Sequence, residues 1–157
     1  MYLTVTRPEL MFVVCLISRY RADPKEEHIL IAKRVLRYLK GTLDVGVYYK
    51  WSKDVNLLGY TDNDYAWDID DRKSTSGFVF FPNGAAICWS SRKQKIVTLS
   101  SIEAEYVAAT ASAYYGVWLR VILKELGVLS SECIEGQNIL MSGNITCVIC
   151  QLIGLWG

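Results

Sequence analysis

Apolar residues recur at helical spacing in two segments near the start of the chain. Residues 28–40 place them at every third or fourth position, which predicts an amphipathic helix that stops at Gly41. Residues 10–18 predict a shorter helix, which Pro8 introduces. Residues 1–50 are therefore expected to form a helical segment at the start of the chain.

From Gly46 onward the pattern changes to short apolar runs separated by turn residues, which is typical of strands. These runs are GVYYK (46–50), VNLLGYTD (55–62), GFVFF (77–81) and AAICWSS (85–91). Asn83-Gly84, between the last two runs, predicts a hairpin. We expect three antiparallel strands here.

A long helix is predicted from Ser100 to Leu126. Ser100 is a preferred N-cap residue, and Glu103 lies three residues later, as in a capping box. Gly116 is a candidate break, and Gly127 ends the helix. Its apolar side is predicted to be Tyr106, Ala109, Ala113, Val117, Leu119, Ile122, Leu123 and Leu126.

The segment NILMS (138–142) predicts a fourth strand, parallel to the first. Helices, a three-stranded meander, a helix and a parallel strand together make a mixed α/β arrangement. The 157 residues are 52% hydrophobic, which excludes global disorder. The apolar stretch 11–17 is too short to cross a bilayer, and no signal-peptide pattern follows it. The sequence thus predicts an intracellular protein, cytoplasmic or nuclear, with no membrane partner.

Cysteine usage agrees with a reducing compartment. Cys15, Cys88 and Cys133 stand alone in or beside apolar sequence, where a thiol acts as a small hydrophobe. Cys147 and Cys150 form a C-x-x-C, which is half of a zinc site. A structural zinc site needs four ligands, and the chain has no second pair and one histidine.

The net charge of +1 hides a strong segregation of charge. Residues 54–71 carry six Asp and no base, while the flanking segments 1–53 and 72–95 are basic. This pattern suits a site that holds cations and binds a polyanion. The candidate polyanion contacts are Lys33, Arg37, Lys40, Arg92, Lys93 and Lys95. The alternative is that these side chains only form solvated faces.

The acidic end of the first long strand, Gly59 to Asp64, is the main chemical feature. Asp62 and Asp64 share one side of the strand, and an aspartate that leaves an apolar strand needs a cation or hydrogen bonds. A second acid from the following helix, Glu103 or Glu105, can meet it and bind a divalent cation such as Mg²⁺. Solvated turn acids are the alternative.

Several long blocks closely resemble the ribonuclease H region of copia-type long-terminal-repeat retrotransposon Pol polyproteins. They are residues 59–66 (GYTDNDYA), 71–77 (DRKSTSG), 86–94 (AICWSSRKQ) and 99–106 (LSSIEAEY). Residues 2–9 and 32–42 resemble the segment that joins reverse transcriptase to that domain. The resemblance extends to about residue 152.

This resemblance implies a ribonuclease H-like mixed sheet with an N-terminal helical extension and a C-terminal truncation. Residues 1–50 correspond to the connection, residues 51–152 to the truncated domain and residues 153–157 to a tail. The family cleaves the RNA strand of RNA–DNA hybrids with two Mg²⁺ (or Mn²⁺) ions held by four acids.

Carried over by position, Asp62 and Glu105 match two catalytic, metal-binding acids. Glu103 lies about 200° round the helix from Glu105, so its expected role is capping. Gly143 stands where the third acid belongs, Trp67 replaces a glycine beside the site, and the fourth acid lies beyond this sequence. We therefore predict a domain without hydrolytic activity. The alternatives are a nuclease completed by another Pol segment and a non-catalytic nucleic-acid-binding module.

Overall fold

The computed structural model describes residues 2–50, 55–66, 71–129 and 139–141. These residues fall into two compact units, with the division between Val47 and Tyr48. In the described part of the chain, no helix combines the length and the apolarity that a membrane span requires.

The first unit is helical, as predicted. Helix α1 (Tyr2–Thr6) and a 3-10 turn (Pro8–Leu10) lead into α2 (Met11–Arg19), and a loop connects α2 to α3 (Glu26–Gly41). Leu10, Val13 and Val35 form its buried centre. Both predicted helices are confirmed, and α3 begins two residues earlier than the apolar pattern suggested.

A hydrogen-bonded arginine joins the two ends of this unit. The Arg7 guanidinium donates to the carbonyl oxygen of Thr42 at 3.1 Å and to its hydroxyl at 2.8 Å. Arg7 also pairs with Glu9, and this hydrogen bond raises the pKa of the guanidinium above its ordinary value. The chain that leaves α3 is thereby fixed against the turn that precedes α2.

The second unit contains a four-stranded mixed sheet. Its elements are β1 (Leu57–Asp64), β2 (Thr75–Pro82), β3 (Cys88–Lys93), α4 (Ser101–Glu125) and β4 (Ile139–Met141). The strand order is β3-β2-β1-β4. Strands β1, β2 and β3 pair antiparallel, and β4 pairs parallel to β1. The mixed α/β class, the meander and the parallel fourth strand are confirmed.

The strand predicted at residues 46–50 is wrong, because this segment is not a strand and pairs with none of the strands among the described residues. Tyr48 is 84% exposed, so its ring does not pack on a sheet. Tyr49 instead acts through its side chain, since its hydroxyl donates to the carbonyl of Ala86 at 2.8 Å. An aromatic run can therefore attach a segment to a domain without joining its sheet.

The predicted hairpin is confirmed, but its second strand begins later than expected. Asn83 and Gly84 both have positive φ angles, 52° and 86°, as a tight hairpin turn requires. Ala85 and Ala86 are buried beside the turn and lie outside the ladder, so β3 starts at Cys88.

Helix α4 corrects two predictions. It runs through Gly116 without a break, and its buried side differs from the predicted apolar side. The buried residues are Ala104, Ala108, Ser112, Gly116, Leu119 and Leu123. Tyr106, Val117 and Leu126, predicted to be buried, are exposed. Small residues occupy the buried positions of the first half of α4 because they let the helix lie close to the sheet. In its second half, Leu119 and Leu123 pack on Phe78 and Phe80.

Candidate metal-binding site at the end of strand β1

The orientation of β1 places its acidic residues on a defined side. Thr61 is buried, its hydroxyl donates to the carbonyl of Gly77 at 3.0 Å, and it lies 3.4 Å from the carbonyl of Ala108 in α4. Side chains alternate along a strand, so Asp62 and Asp64 lie on the face of the sheet opposite to Thr61 and to α4, the face that also carries Tyr60 against Phe81.

The two aspartates have different surroundings. Asp64 accepts a hydrogen bond from the main-chain N–H of Thr75, its register partner, and thus closes the end of the β1–β2 ladder. Asp62 is half-buried, and its Oδ1 accepts the N–H of Asn63 at 2.8 Å.

Helix α4 brings Glu105 to the same end of the sheet. The side-chain amide of Gln94 donates to the carbonyl of Ala104 at 3.0 Å and to the hydroxyl of Ser76 at 2.7 Å. Ser76 is the register partner of Asn63 in β1. Since Glu105 follows Ala104, the start of α4 lies at the level of the acidic end of β1.

Glu105 is exposed although it lies on the sheet-facing arc of α4. At 100° per residue, its side chain is about 100° from that of Ala104 and about 60° from that of Ala108, both of which are buried. Its side chain therefore reaches solvent at the rim of the contact between α4 and the sheet. A carboxylate in that place is accessible to a hydrated cation.

Glu103 has the capping role that the sequence predicted. Its Oε2 accepts the N–H of Leu99 at 2.7 Å, and its own N–H donates to the Ser100 hydroxyl at 3.2 Å. Because one carboxylate oxygen of Glu103 caps the start of α4 and its side chain points about 160° away from that of Glu105, Glu105 is the helix acid considered for metal binding.

The described residues supply two ligand candidates rather than a complete cage. Among them, no group of three or more His, Cys, Asp and Glu side chains could hold a metal ion. Gly143, at the position of the third acid, lies outside the described residues, as do Trp67, Cys147 and Cys150. Asp62 lies on the face of β1 opposite to α4, so the structure brings Asp62 and Glu105 to the same end of the sheet but not into contact. An ion held by both would have to be bound through its water ligands, as Mg²⁺ with few protein ligands is.

The basic residues of β3 lie at this same end of the sheet. Arg92 pairs in register with Ser76, which pairs with Asn63. Arg92 is thus two strands away from β1, roughly 10 Å in the hydrogen-bonding direction. Arg92 and Lys95 are exposed, whereas Lys93 forms an ion pair of 2.9 Å with Asp71. Arg92 and Lys95 are the better candidates for a phosphate contact.

The other predicted basic stripe belongs to the first unit. Lys33, Arg37 and Lys40 are all exposed on α3, as the helical spacing predicted. Val35 faces the core of that unit, so the stripe is the solvent side of an amphipathic helix.

The polar network behind the acidic end was missed by sequence reasoning. Gln94 is buried, and its main-chain N–H donates to the carbonyl of Ser74 at 2.8 Å. The Ser74 hydroxyl accepts the N–H of Ala66 at 3.1 Å. A polar run such as SSRKQ reads as exposed, and only the tertiary structure shows that its glutamine is internal.

Comparisons with known proteins identify clear relatives. The chain is 44% identical to the retrovirus-related Pol polyprotein from transposon TNT 1-94 of Nicotiana tabacum, over 127 residues, which are 81% of this chain and 10% of that protein. It is 42% identical to the Pol polyprotein from transposon RE2 of Arabidopsis thaliana, over 83% of this chain and 9% of that protein.

A third relative is short. The chain is 43% identical to the secreted RxLR effector protein 161 of Plasmopara viticola, over 77% of this chain and 86% of that protein. No family model and no solved structure matches. The chain spans about a tenth of the length of the Pol polyproteins that it matches.

Proposed function

We propose that the second unit of this chain, a fragment derived from a retrovirus-related Pol polyprotein of a transposon, is a ribonuclease H-like domain of the copia type. Asp62 and Glu105 are its divalent-cation ligands. The observation that supports the proposal is the contact of Gln94 with Ala104, which holds the first turns of α4 at the end of the sheet where β1 ends, with Asp62 on the opposite face of β1.

The sheet supports this proposal. A meander of three strands is followed by α4, which packs on β1 and β2, and by β4 parallel to β1. Because β4 runs parallel to β1, the carboxyl ends of both strands lie at the same end of the sheet. Side chains that follow the two strands can meet there. The segment after β4 is where the resemblance expects the third acid.

The donor set fits Mg²⁺ or Mn²⁺, because both acids offer carboxylate oxygens and Glu105 is exposed. In a two-metal nuclease such ions activate water and stabilise the leaving oxygen. Asp62 and Glu105 would hold one hydrated ion here, and the position of the third acid is Gly143. Loss of one member of a cooperating catalytic set commonly costs orders of magnitude in rate. We therefore propose that this chain binds the cation weakly and does not cleave RNA–DNA hybrids alone.

Metal binding tests the ligand assignment. Mn²⁺ binding, measured by electron paramagnetic resonance, is expected in the unsubstituted chain and is expected to be lost in Asp62→Asn and in Glu105→Gln. Glu125→Gln, which removes an exposed acid at the other end of α4, is the matched control. Binding that survives in both Asp62→Asn and Glu105→Gln would exclude this site.

Cleavage of a labelled RNA–DNA hybrid in Mg²⁺ or Mn²⁺ tests the proposed inactivity. No product is expected from the folded chain. Product that disappears in Asp62→Asn would overturn the inactivity and keep the ligand assignment. A nuclease completed in trans would give product only when a second Pol segment that supplies the missing acids is added.

Binding of nucleic acid without cleavage is a second candidate, and the position of Arg92 and Lys95 favours it. Each phosphate contact makes affinity fall as salt rises. Arg92→Ala with Lys95→Ala is expected to weaken binding of an RNA–DNA hybrid and to lower its salt dependence. Lys33→Ala with Arg37→Ala and Lys40→Ala tests the α3 stripe separately. Equal affinity at low and high salt would contradict a phosphate-binding role.

A further inference from the structure

The face of α4 that points away from the sheet carries large apolar side chains. The large apolar side chains of this face that are at least half exposed are Tyr106, Tyr114, Val117, Trp118 and Val121. A helix on the surface of a globular domain normally presents polar residues to water. An apolar stripe in that place is typical of a surface that binds another protein.

Charged residues stand at both ends of this face. At 100° per residue, Glu103, Tyr106, Val117, Val121 and Lys124 fall within an arc of about 60°. Together with the exposed Thr110, which lies in the same arc, the five residues form one stripe, which we call the outer stripe. It begins with an acid in the first turn of α4 and ends with a base in the last turn.

The spacing of the outer stripe is self-complementary. Its midpoint lies between Ala113 and Tyr114, and Tyr106 is as far before this point as Val121 is after it. Glu103 and Lys124 are related in the same way. Two copies of α4 laid antiparallel would therefore place each Tyr106 against Val121 of the other copy.

We propose that the outer stripe is an antiparallel self-association surface whose occupant is the α4 of a second copy of this chain. Charge sets the direction, because the antiparallel pair puts Glu103 beside Lys124 of the second copy at both ends. A parallel pair would oppose like charges at both ends. The contact is isologous, as in most homodimers, and it closes at two copies.

The size of the contact predicts a weak dimer. One helix pair lies at or below the low end of specific interfaces, about 1,200 Å² in total. We therefore expect a monomer–dimer equilibrium in the micromolar range rather than a permanent dimer. This surface lies on the side of α4 away from the sheet, and the proposal does not depend on metal binding.

Light scattering over a concentration series tests the surface. The average mass is expected to rise from one chain toward two, and Val117→Glu is expected to keep the chain monomeric. Leu99→Glu, at an exposed residue before the helix, is the matched control and should dimerise normally. Thermal unfolding of each variant checks that the fold is retained. A monomer at every concentration, or a dimer that Val117→Glu leaves intact, would overturn the proposal.

Cysteine cross-linking tests the direction and register. Two copies of residue 114 lie beside the twofold axis, whereas two copies of residue 106 lie about 22 Å apart along the direction of the helices. Tyr114→Cys is expected to form a disulfide dimer above the background of the five native cysteines, and Tyr106→Cys is not. Tyr106→Cys should instead cross-link to Val121→Cys when the two are mixed. Equal dimer from Tyr114→Cys and Tyr106→Cys, or no disulfide dimer from Tyr114→Cys above background, would exclude the register. If the natural occupant of the outer stripe is another apolar segment of a Pol protein, this chain alone would stay monomeric. That result would also exclude the proposed self-association.

Discussion

The side-chain amide of Gln94 donates a 3.0 Å hydrogen bond to the main-chain carbonyl of Ala104 and so ties the end of β3 to the first turns of α4. The same nitrogen donates to the Ser76 hydroxyl in β2. Gln94 thus joins β2, the end of β3 and the first turns of α4, next to Glu105. If Glu105 binds the cation as proposed, this contact positions it without touching the metal.

Gln94→Leu is expected to lower the free energy of unfolding by about 2 kcal/mol, because buried groups lose hydrogen bonds to Gln94 and no water replaces them. Gln94 is only 6% exposed, which is why the loss is not screened. Urea unfolding followed by circular dichroism gives the value. Lys95→Gln, at the exposed neighbour, is the control and should change stability by less than about 0.5 kcal/mol. A Gln94→Leu variant as stable as that control would show that the network is dispensable.

Gly59 is predicted to be intolerant of any side chain. A Cβ there would lie 2.5 Å from Cε1 of Phe80, and Phe80 is only 2% exposed, so its ring has little room to move. Gly59→Ala is expected to cost about 1–3 kcal/mol through overpacking of the core. Thermal unfolding measures this loss, and Gly46→Ala, where nothing lies within 4 Å, is the control.

A second substitution separates a clash from a backbone effect at Gly59. Phe80→Leu shortens the side chain that faces Gly59. In a Phe80→Leu background, Gly59→Ala should therefore cost less than it does alone. The same cost in both backgrounds would show that the Phe80 ring is not the cause.

Local signals predicted the turns and helix ends of this domain correctly, and non-local packing decided what they missed. The turn at Asn83-Gly84 and the cap at Ser100 each depend on neighbouring residues, so the sequence shows them directly. The buried side of α4 depends instead on how closely the helix approaches β1. Ser112 is fully buried there, while the more apolar Val117 is exposed, an order that hydropathy alone reverses.

The candidate site shows the same division. A family resemblance indicates Asp62 and Glu105, and the fold places their elements at one end of the sheet, with Asp62 on the face opposite to α4. Gln94 was not chosen, because its bonds to Ser76 and Ala104 cross 18 and 10 residues of chain. Such partners have no periodic pattern in the sequence.

Cys88 is expected to be a slow nucleophile. Burial raises the pKa of its thiol above the ordinary value, so less of the reactive thiolate exists at neutral pH. Its alkylation by iodoacetamide, followed by mass spectrometry, should be slower in the folded chain than in urea and should accelerate as the pH rises through the raised pKa. The raised pKa also means that the Cys88 thiol stays protonated to a higher pH in the folded chain than in the unfolded chain. The free energy of unfolding therefore keeps its full value below the thiol pKa of the unfolded chain and falls as the pH rises through the thiol pKa of the folded chain. Equal alkylation rates in the folded and unfolded chain would contradict this assignment.

The two aspartates at the end of β1 are expected to separate into a structural and a metal-binding residue. Asp64→Ala removes the acceptor of the Thr75 N–H at the end of the ladder and should lower the free energy of unfolding by about 1–2 kcal/mol. Asp62→Asn keeps an oxygen that can accept the Asn63 N–H, so it should change stability by less than about 0.5 kcal/mol. Mn²⁺ binding should show the opposite order, lost in Asp62→Asn and retained in the folded fraction of Asp64→Ala. Urea unfolding and metal titration of both variants therefore give a crossed result, and a variant that loses both properties together would show that the two roles are not separable.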